Sequence, residues 1–222
     1  MTGKKSENSA PKTPHKHNFV KREAIDFGFN IAKGNIVFFF GVAVVWALVT
    51  IISSSIQGAL NADKQFSLSF LFSLLMWVVS SIISMGIINI CLEFVDNKEP
   101  EIKDIYYTQK IFNFILASII KSVIVIVGFI LLIVPGVIFS IKLQFAEYLI
   151  VDKKFDAIDA LKGSWEMTKG VKTNLFIFSI LLGLINILGL LCLVVGLFVT
   201  IPLSMVATAY VYRKLLSQTD LK

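Results

Sequence analysis

Residues 122–172, SVIVIVGFILLIVPGVIFSIKLQFAEYLIVDKKFDAIDALKGSWEMTKGVK, decide the fold predicted for this chain. An apolar run ends at Pro135-Gly136, and a second apolar run with three polar side chains leads into a lysine-rich segment. Proline lacks an amide hydrogen and disfavours a helical residue before it, while glycine tolerates left-handed backbone angles. The pair therefore predicts a tight reversal in a membrane hairpin whose second leg returns to the cytoplasmic surface.

The composition of the whole chain supports the same fold class. Of its 222 residues, 56% are hydrophobic and only 16% are charged, and the mean hydropathy is +0.79. This apolar content exceeds what a water-soluble domain needs, so the surplus should face lipid. The charged residues cluster between the apolar runs, as loops outside a bilayer would. We predict an all-α integral membrane protein with six transmembrane helices and interfacial amphipathic helices.

Six apolar runs can cross a bilayer, since a helix rising about 1.5 Å per residue needs roughly 20 residues to cross about 30 Å of hydrocarbon. The predicted spans cover residues 36–60, 66–92, 111–134, 137–151, 174–195 and 199–216. Residues 111–120 either begin a single tilted span, with Lys121 reaching toward the headgroups, or lie along the interface. Pro202 is the expected turn before the last span, which is tilted or begins before that residue.

The segments outside the spans fall into three kinds. Residues 1–18 form a basic tail too polar to order, and residues 217–222 form a second tail. Residues 19–35 fit an interfacial helix that leads into the membrane. Residues 156–169 predict an amphipathic helix with an apolar stripe, and a helix that docks a partner is the alternative. The residues expected to place this segment on the cytoplasmic leaflet are Lys153, Lys154, Lys162, Trp165 and Lys169.

The distribution of Lys and Arg predicts the orientation. Eighteen of the 21 lie in segments on one side: seven before the first span, three in residues 93–110, five in residues 152–172 and three after Tyr212. Because such residues accumulate on the cytoplasmic side, both termini should be cytoplasmic in a multi-pass protein of the inner membrane. The net charge of +6 is then explained by anionic lipid headgroups and not by nucleic acid.

Four polar residues interrupt the hairpin, and they form the predicted buried polar cluster: Lys121, Lys142, Gln144 and Glu147. Ionisable groups at such depth cost about 2.5–3.5 kcal/mol each, so they should find partners. Antiparallel pairing about Pro135-Gly136 offsets Lys121 and Glu147 by about 4.5 Å along the helix axis, which predicts an ion pair. Lys142 would then face the headgroups or an internal cavity. The alternative is that all three charged side chains only reach toward the headgroups or satisfy backbone groups.

Several short motifs resemble those of a known membrane family. They are the opening EAIDFGF, the stretch from Pro135 to Gly170, and the closing Pro202-Leu203 and Tyr212-Arg213. These resemble a six-span bacterial family of unknown function that includes the membrane domain attached to some glycerophosphodiester phosphodiesterases. The resemblance implies a compact six-helix domain in the cytoplasmic membrane. The catalytic barrel of those enzymes has no counterpart here, so the resemblance does not imply hydrolysis.

No residue pattern points to catalysis, a cofactor or a metal. Both histidines lie in the basic tail, and Cys91 and Cys192 sit inside apolar runs without CxxC spacing. We therefore expect a membrane-organising or lipid-interacting protein without enzymatic activity. Its expected partners are anionic lipids and either a second copy or another membrane protein. A small transporter or channel that uses the polar cluster is the alternative.

Overall fold

A computed structural model describes residues 18–62, 66–98, 100, 110–192, 196–219 and 221. This part of the chain is helical and contains no strand. The helices in chain order are α1 (Lys21–Gly34), α2 (Ile36–Ala62), α3 (Phe66–Val95), α4 (Ile111–Leu131), α5 (Ile133–Leu143), α6 (Ala146–Lys153), α7 (Ala157–Met167), α8 (Lys172–Leu191) and α9 (Leu197–Leu216). Several segments lie partly outside the described residues. These are residues 1–17 of the predicted tail, most of the 93–110 loop, and parts of residues 61–65, between the first two predicted spans, and of the 217–222 tail.

Five segments of the described chain are long and apolar enough to cross a membrane, where the sequence predicted six. They are Ile36–Leu60, Ser67–Val95, Ile111–Leu131, Ile133–Lys153 and Lys172–Leu191. Because α4 runs unbroken through Lys121, residues 111–120 belong to the same candidate spanning helix as the residues after Lys121 and not to a separate interfacial helix. The sixth predicted span lies in α9, whose threonines, serine, tyrosines and terminal basic residues lower its apolar content.

Helix α9 lies inside the bundle, in contact with α1, α2, α3 and α8. Small residues of α1 allow the closest approach, since a Cβ added at Gly28 would lie 2.5 Å from the carbonyl oxygen of Leu203. The rings of Phe27 and Tyr210 pack 4.9 Å apart along the same contact. Thus α1, predicted to lie along the interface, packs against another helix. Enclosure by protein also explains why α9 tolerates polar residues that a lipid-facing helix would not.

The predicted turn at Pro135-Gly136 is misplaced by three residues. The reversal occurs at Leu132, whose extended backbone (φ −166°, ψ 151°) separates α4 from α5. Both Pro135 and Gly136 lie in the first turn of α5, where the missing proline amide would have had no helical partner. The glycine serves packing instead, because a Cβ at Gly128 of α4 would lie 2.9 Å from the Gly136 Cα.

The predicted turn at Pro202 is also wrong. Pro202 is buried in the second turn of α9, and the break between helices precedes Leu197. Proline is tolerated there at the loss of one helical hydrogen bond, which would have reached the carbonyl of Phe198. The presence of a proline alone did not distinguish a turn from an early position in a helix.

Helix α7 occupies the predicted amphipathic segment, but its apolar face contacts protein. Contacts with α4, α5 and α6 cover this face, and Leu161 is 8% exposed whereas Ile158 is 57% exposed. The prediction that the apolar stripe rests on lipid is therefore wrong for most of its length. A hydrophobic stripe has the same period whether it meets a leaflet or a neighbouring helix.

Candidate functional site

The most extensive polar contact lies where α3, α6 and α9 end together. The Arg213 guanidinium donates to Asp96 at 2.6 Å and forms an ion pair with Asp152 at 2.7 Å. The Tyr212 hydroxyl donates to the same Asp152 carboxylate at 2.8 Å. We call these four residues the end junction. Because one cation bridges two carboxylates from different helices, the end junction fixes the relative positions of three helix ends.

The end junction continues inward as an aromatic cluster. Tyr212 is fully buried, and its ring centroid lies 5.3 Å from that of Tyr148 and 6.0 Å from that of Phe145. Sequence reasoning noted Tyr212-Arg213 as part of a family resemblance. It missed the carboxylates, because 60 and 117 residues separate the bonded partners and no local period connects them.

A second polar contact lies within the α4–α6 hairpin. The Lys121 ammonium is 2.7 Å from Glu147 Oε1, and both side chains are about one quarter exposed. The Ser118 hydroxyl donates to the same oxygen at 3.2 Å. This is the pairing that the antiparallel register predicts. The shift of the turn to Leu132 changes the midpoint by only a few residues, which long side chains can absorb.

The other two members of the predicted polar cluster lie apart from this pair. Lys142 is 8% exposed, and its ammonium lies 3.1 Å from the centroid of the Trp165 ring. The amide nitrogen of Gln144 is enclosed and has no hydrogen-bond partner among the described residues. The structure thus divides the predicted cluster into an ion pair, a lysine on an aromatic ring and an unpartnered amide.

Ser164 of α7 closes the gap between α5 and α6. Its hydroxyl donates to the carbonyl of Lys142 at 2.7 Å and accepts from the amide of Phe145 at 3.1 Å. One buried side chain therefore bonds the last turn of one helix to the start of the next. Sequence reasoning passed over Ser164, although a hydroxyl between apolar residues on the inner face of α7 was a signal for such a role.

The predicted interfacial lysines are solvent exposed and mixed with acids. Lys154 and Lys162 line an open concavity of about 520 Å³ that also contains Asp156, Asp159 and Glu166. Lys153 lies 3.9 Å from Asp152, and Lys169 lies 2.6 Å from Glu166. Trp165, which was predicted to lie on the leaflet with these lysines, is partly buried and stacks on Phe139. The lysines therefore form a surface of mixed charge, and the tryptophan belongs to the interior.

One acid in this concavity is held by two donors from the start of α4. The Lys110 ammonium and the Asn113 amide donate to the same oxygen of Asp156 at 2.7 and 2.8 Å. The bond and charge of Lys110 hold the pKa of this exposed carboxyl below its ordinary value. In the part of the chain that the structure describes, no three His, Cys, Asp or Glu side chains gather as a metal site would require.

Sequence comparisons give this chain both relatives and a family. The chain is 30% identical over 131 residues to "Uncharacterized protein Rv2560" of Mycobacterium tuberculosis (strain ATCC 25618 / H37Rv) and to "Uncharacterized protein Mb2590" of Mycobacterium bovis (strain ATCC BAA-935 / AF2122/97). Each match covers 59% of this chain and 40% of the relative. No solved structure is significantly similar. The family described as Domain of unknown function (DUF7847) matches residues 105–219, which contain every polar contact described above except Asp96, and the chain belongs to that family.

Proposed function

We propose that this chain is a multi-pass membrane protein that interacts with lipid and organises the membrane around it, without catalytic activity. The observation that carries the proposal is the exposure of its apolar helices. Only 6% of the spanning stretch of α2 and 17% of that of α3 are buried within the protein. Apolar surface of this extent is stable only against acyl chains or against another membrane protein.

An apolar groove beside these helices adds to the proposal. It has a volume of about 450 Å³ and lies between α2, α3 and α9. Its lining includes Phe39, Trp46, Ile87, Phe198 and Met205. Such a groove suits an acyl chain or an apolar side chain of a partner, whereas a polar solute would lose its hydrogen bonds there.

The contacts between loops support the proposed orientation, with both termini on the cytoplasmic side of the inner membrane. The segment after α3 is bonded to the end of α9 through Asp96 and Arg213. The chain before α1 is bonded to the chain after α9 through Asn18 and Gln218. The described residues of these segments therefore meet at one end of the bundle, which agrees with the orientation proposed from the Lys and Arg distribution.

The orientation implies that α9 is a sixth crossing, enclosed by protein. This arrangement suits the resemblance to the membrane domain attached to some glycerophosphodiester phosphodiesterases. We extend no hydrolytic activity from that resemblance. The proposed partners are anionic lipids at the basic end of the bundle and, against the α2–α3 face, a second copy or another membrane protein. Nucleic acid is not among the proposed partners.

Native mass spectrometry of the detergent-purified full chain tests this proposal. We expect the wild-type protein to retain lipids from its host membrane, with anionic lipids enriched over zwitterionic ones. A particle that retains no lipid and shows no enrichment would contradict the proposal. The number of chains per particle, measured in the same experiment, tests whether a second copy covers the α2–α3 face.

A small transporter is the second candidate, and two features of the same hairpin favour it: the unpartnered amide of Gln144 and the Lys121–Glu147 pair. Ionisable groups within a span commonly mark ion or proton paths. Proteoliposomes with an enclosed pH-sensitive dye provide the test. Dye-reported proton flux that Glu147→Gln abolishes, at equal amounts of folded protein, would establish transport in place of the lipid-organising function.

A further inference from the structure

The charged neighbours of Lys142 are also cations. Lys142 lies in α5, which contacts α8, and its carbonyl lies 3.5 Å from the hydroxyl of Thr168, four residues before Lys172, so that Lys169 and Lys172 act on its ammonium as neighbouring charges. Lys169 is paired with Glu166 at 2.6 Å, but no carboxylate in the described part of the chain forms an ion pair with Lys142 or Lys172. Neighbouring ammonium groups repel each other, so an anion between or beside them would stabilise the pair.

The surroundings of the two lysines have the features of an anion-binding site. The stem of Lys142 is enclosed, with 8% of the residue exposed, and the Trp165 ring holds its ammonium at 3.1 Å from the ring centroid. Lys172 is the first residue of α8, whose start has no side-chain cap. The free amides of a helix start carry partial positive charge, and anions bind there readily. A buried lysine thus neighbours an exposed lysine at a helix start, and neither forms an ion pair among the described residues.

The position of the site indicates which anion it meets. Lys142 belongs to the candidate span Ile133–Lys153, and Lys172 begins the candidate span Lys172–Leu191. The carbonyl of Lys142 accepts from Ser164 of α7, a helix outside the candidate spans, and Lys172 is the first residue of its span, so both lysines lie toward a boundary of the hydrocarbon zone. Phosphate groups of lipids occupy that depth, and basic pockets between membrane helices bind them.

We propose that Lys142 and Lys172, with Trp165 beneath and Lys169 at the rim, bind the phosphate group of an anionic membrane lipid. The site deepens the lipid interaction proposed above, on which it rests, by naming the chemical group that is recognised. Phosphatidylglycerol has the required group, a phosphodiester with one negative charge and no balancing ammonium. Free inorganic phosphate offers similar oxygens, and the test below separates the two sources.

The test is a set of titrations of the purified full chain with phosphatidylglycerol, phosphatidylcholine or inorganic phosphate, each followed by native mass spectrometry. The variants are Lys142→Gln/Lys172→Gln and the single Lys172→Gln, an exposed position at which folding should be unaffected. The matched control is Lys153→Gln/Lys154→Gln, which removes the same charge from the neighbouring surface. We expect phosphatidylglycerol to bind the double variant on the order of tenfold more weakly, the single variant less so, and the control like wild type.

Each arm of the experiment has an outcome that overturns the site. Equal phosphatidylglycerol binding by wild type, the single variant and the double variant would refute it. Loss of phosphatidylglycerol binding in the Lys153/Lys154 control alone would also refute the site but would leave the proposed lipid interaction standing. Absence of bound lipid from every protein would refute both the site and the proposed lipid interaction. A third outcome is that binding of inorganic phosphate depends on Lys172 and binding of phosphatidylglycerol does not. This outcome would assign the site to free phosphate and overturn the lipid assignment.

Discussion

The two halves of α3 have similar apolar composition and opposite surroundings. In the first half, Leu71 and Leu75 are 61% and 59% exposed, whereas in the second half Met85 and Cys91 are 0% and 1% exposed. The second half packs into the bundle around α9, and the first half extends beside α2 with few contacts. Hydropathy therefore identifies both as membrane segments but does not distinguish a helix face that meets lipid from one that meets protein.

The largest expected effect lies in the bundle, at Arg213. Replacing it with methionine leaves Asp96 and Asp152 without their shared cation, and loss of one partner from a mostly enclosed ion pair costs about 3 kcal/mol. Thermal unfolding in detergent should show a clearly lower midpoint for Arg213→Met. Lys214→Met, the exposed neighbour, is the control and should unfold like wild type. Equal midpoints for the two variants would show that the end junction does not hold the helix ends.

The contrast between the enclosed bundle and the exposed helix α2 can be tested with two glycines. Gly28→Ala places a methyl group 2.5 Å from a backbone oxygen of α9, and such overpacking costs about 1–3 kcal/mol. A Cβ at Gly41 in α2 would meet nothing within 4 Å, so Gly41→Ala should stabilise the helix by roughly 0.5–1 kcal/mol. Unfolding midpoints of the two variants should shift in opposite directions. A destabilising Gly41→Ala would indicate a partner packed on α2.

The Lys121–Glu147 pair should give a smaller effect, because both side chains are partly exposed. Replacing either residue with leucine leaves an unpaired charge in a spanning hairpin, while replacing both removes the charge and its partner together. The double variant should therefore unfold less readily than either single variant, with a coupling energy of about 1 kcal/mol. A double-mutant cycle of unfolding midpoints measures this coupling, and additive losses would argue against the pair.

The smallest effect concerns Asp156 at the solvent-exposed edge of the bundle. Because its pKa is lowered in the folded protein, its bonds to Lys110 and Asn113 contribute fully above the ordinary value of 3.8. They are lost as the pH falls below that value, through the lower pKa of the folded state. Wild type should therefore lose a slight stability advantage over Asp156→Asn in this acidic range. Identical pH profiles of the two unfolding midpoints would contradict this assignment.

The sequence predicted well what depends on local composition. The first five spans, the α4 hairpin and the Lys121–Glu147 pairing follow from runs of apolar residues and from antiparallel register. The two proline turns were wrong because proline suits the early positions of a helix as well as a loop. The predicted role of α7 was wrong because a stripe of apolar residues does not indicate whether lipid or protein covers it.

The residues that were missed share a different property. Asp96, Asp152 and Ser164 act through partners on other helices, and the spacing of these pairs along the chain follows no period. Their partners become adjacent only when α9 and α7 pack into the bundle. Contacts of this kind are determined by the tertiary arrangement, which a pass along one sequence does not contain.

The interrupted helix α5–α6 imposes an order on biosynthesis. The amide of Phe145 donates its hydrogen bond to the hydroxyl of Ser164, which lies 19 residues later in the chain. When the hairpin reaches the insertion machinery during synthesis, Ser164 has therefore not yet emerged from the ribosome. Lipid offers no substitute acceptor for the Phe145 amide. The second leg can reach its final conformation only after α7 emerges, so nascent chains that end before Ser164 should leave this leg incompletely settled in the membrane.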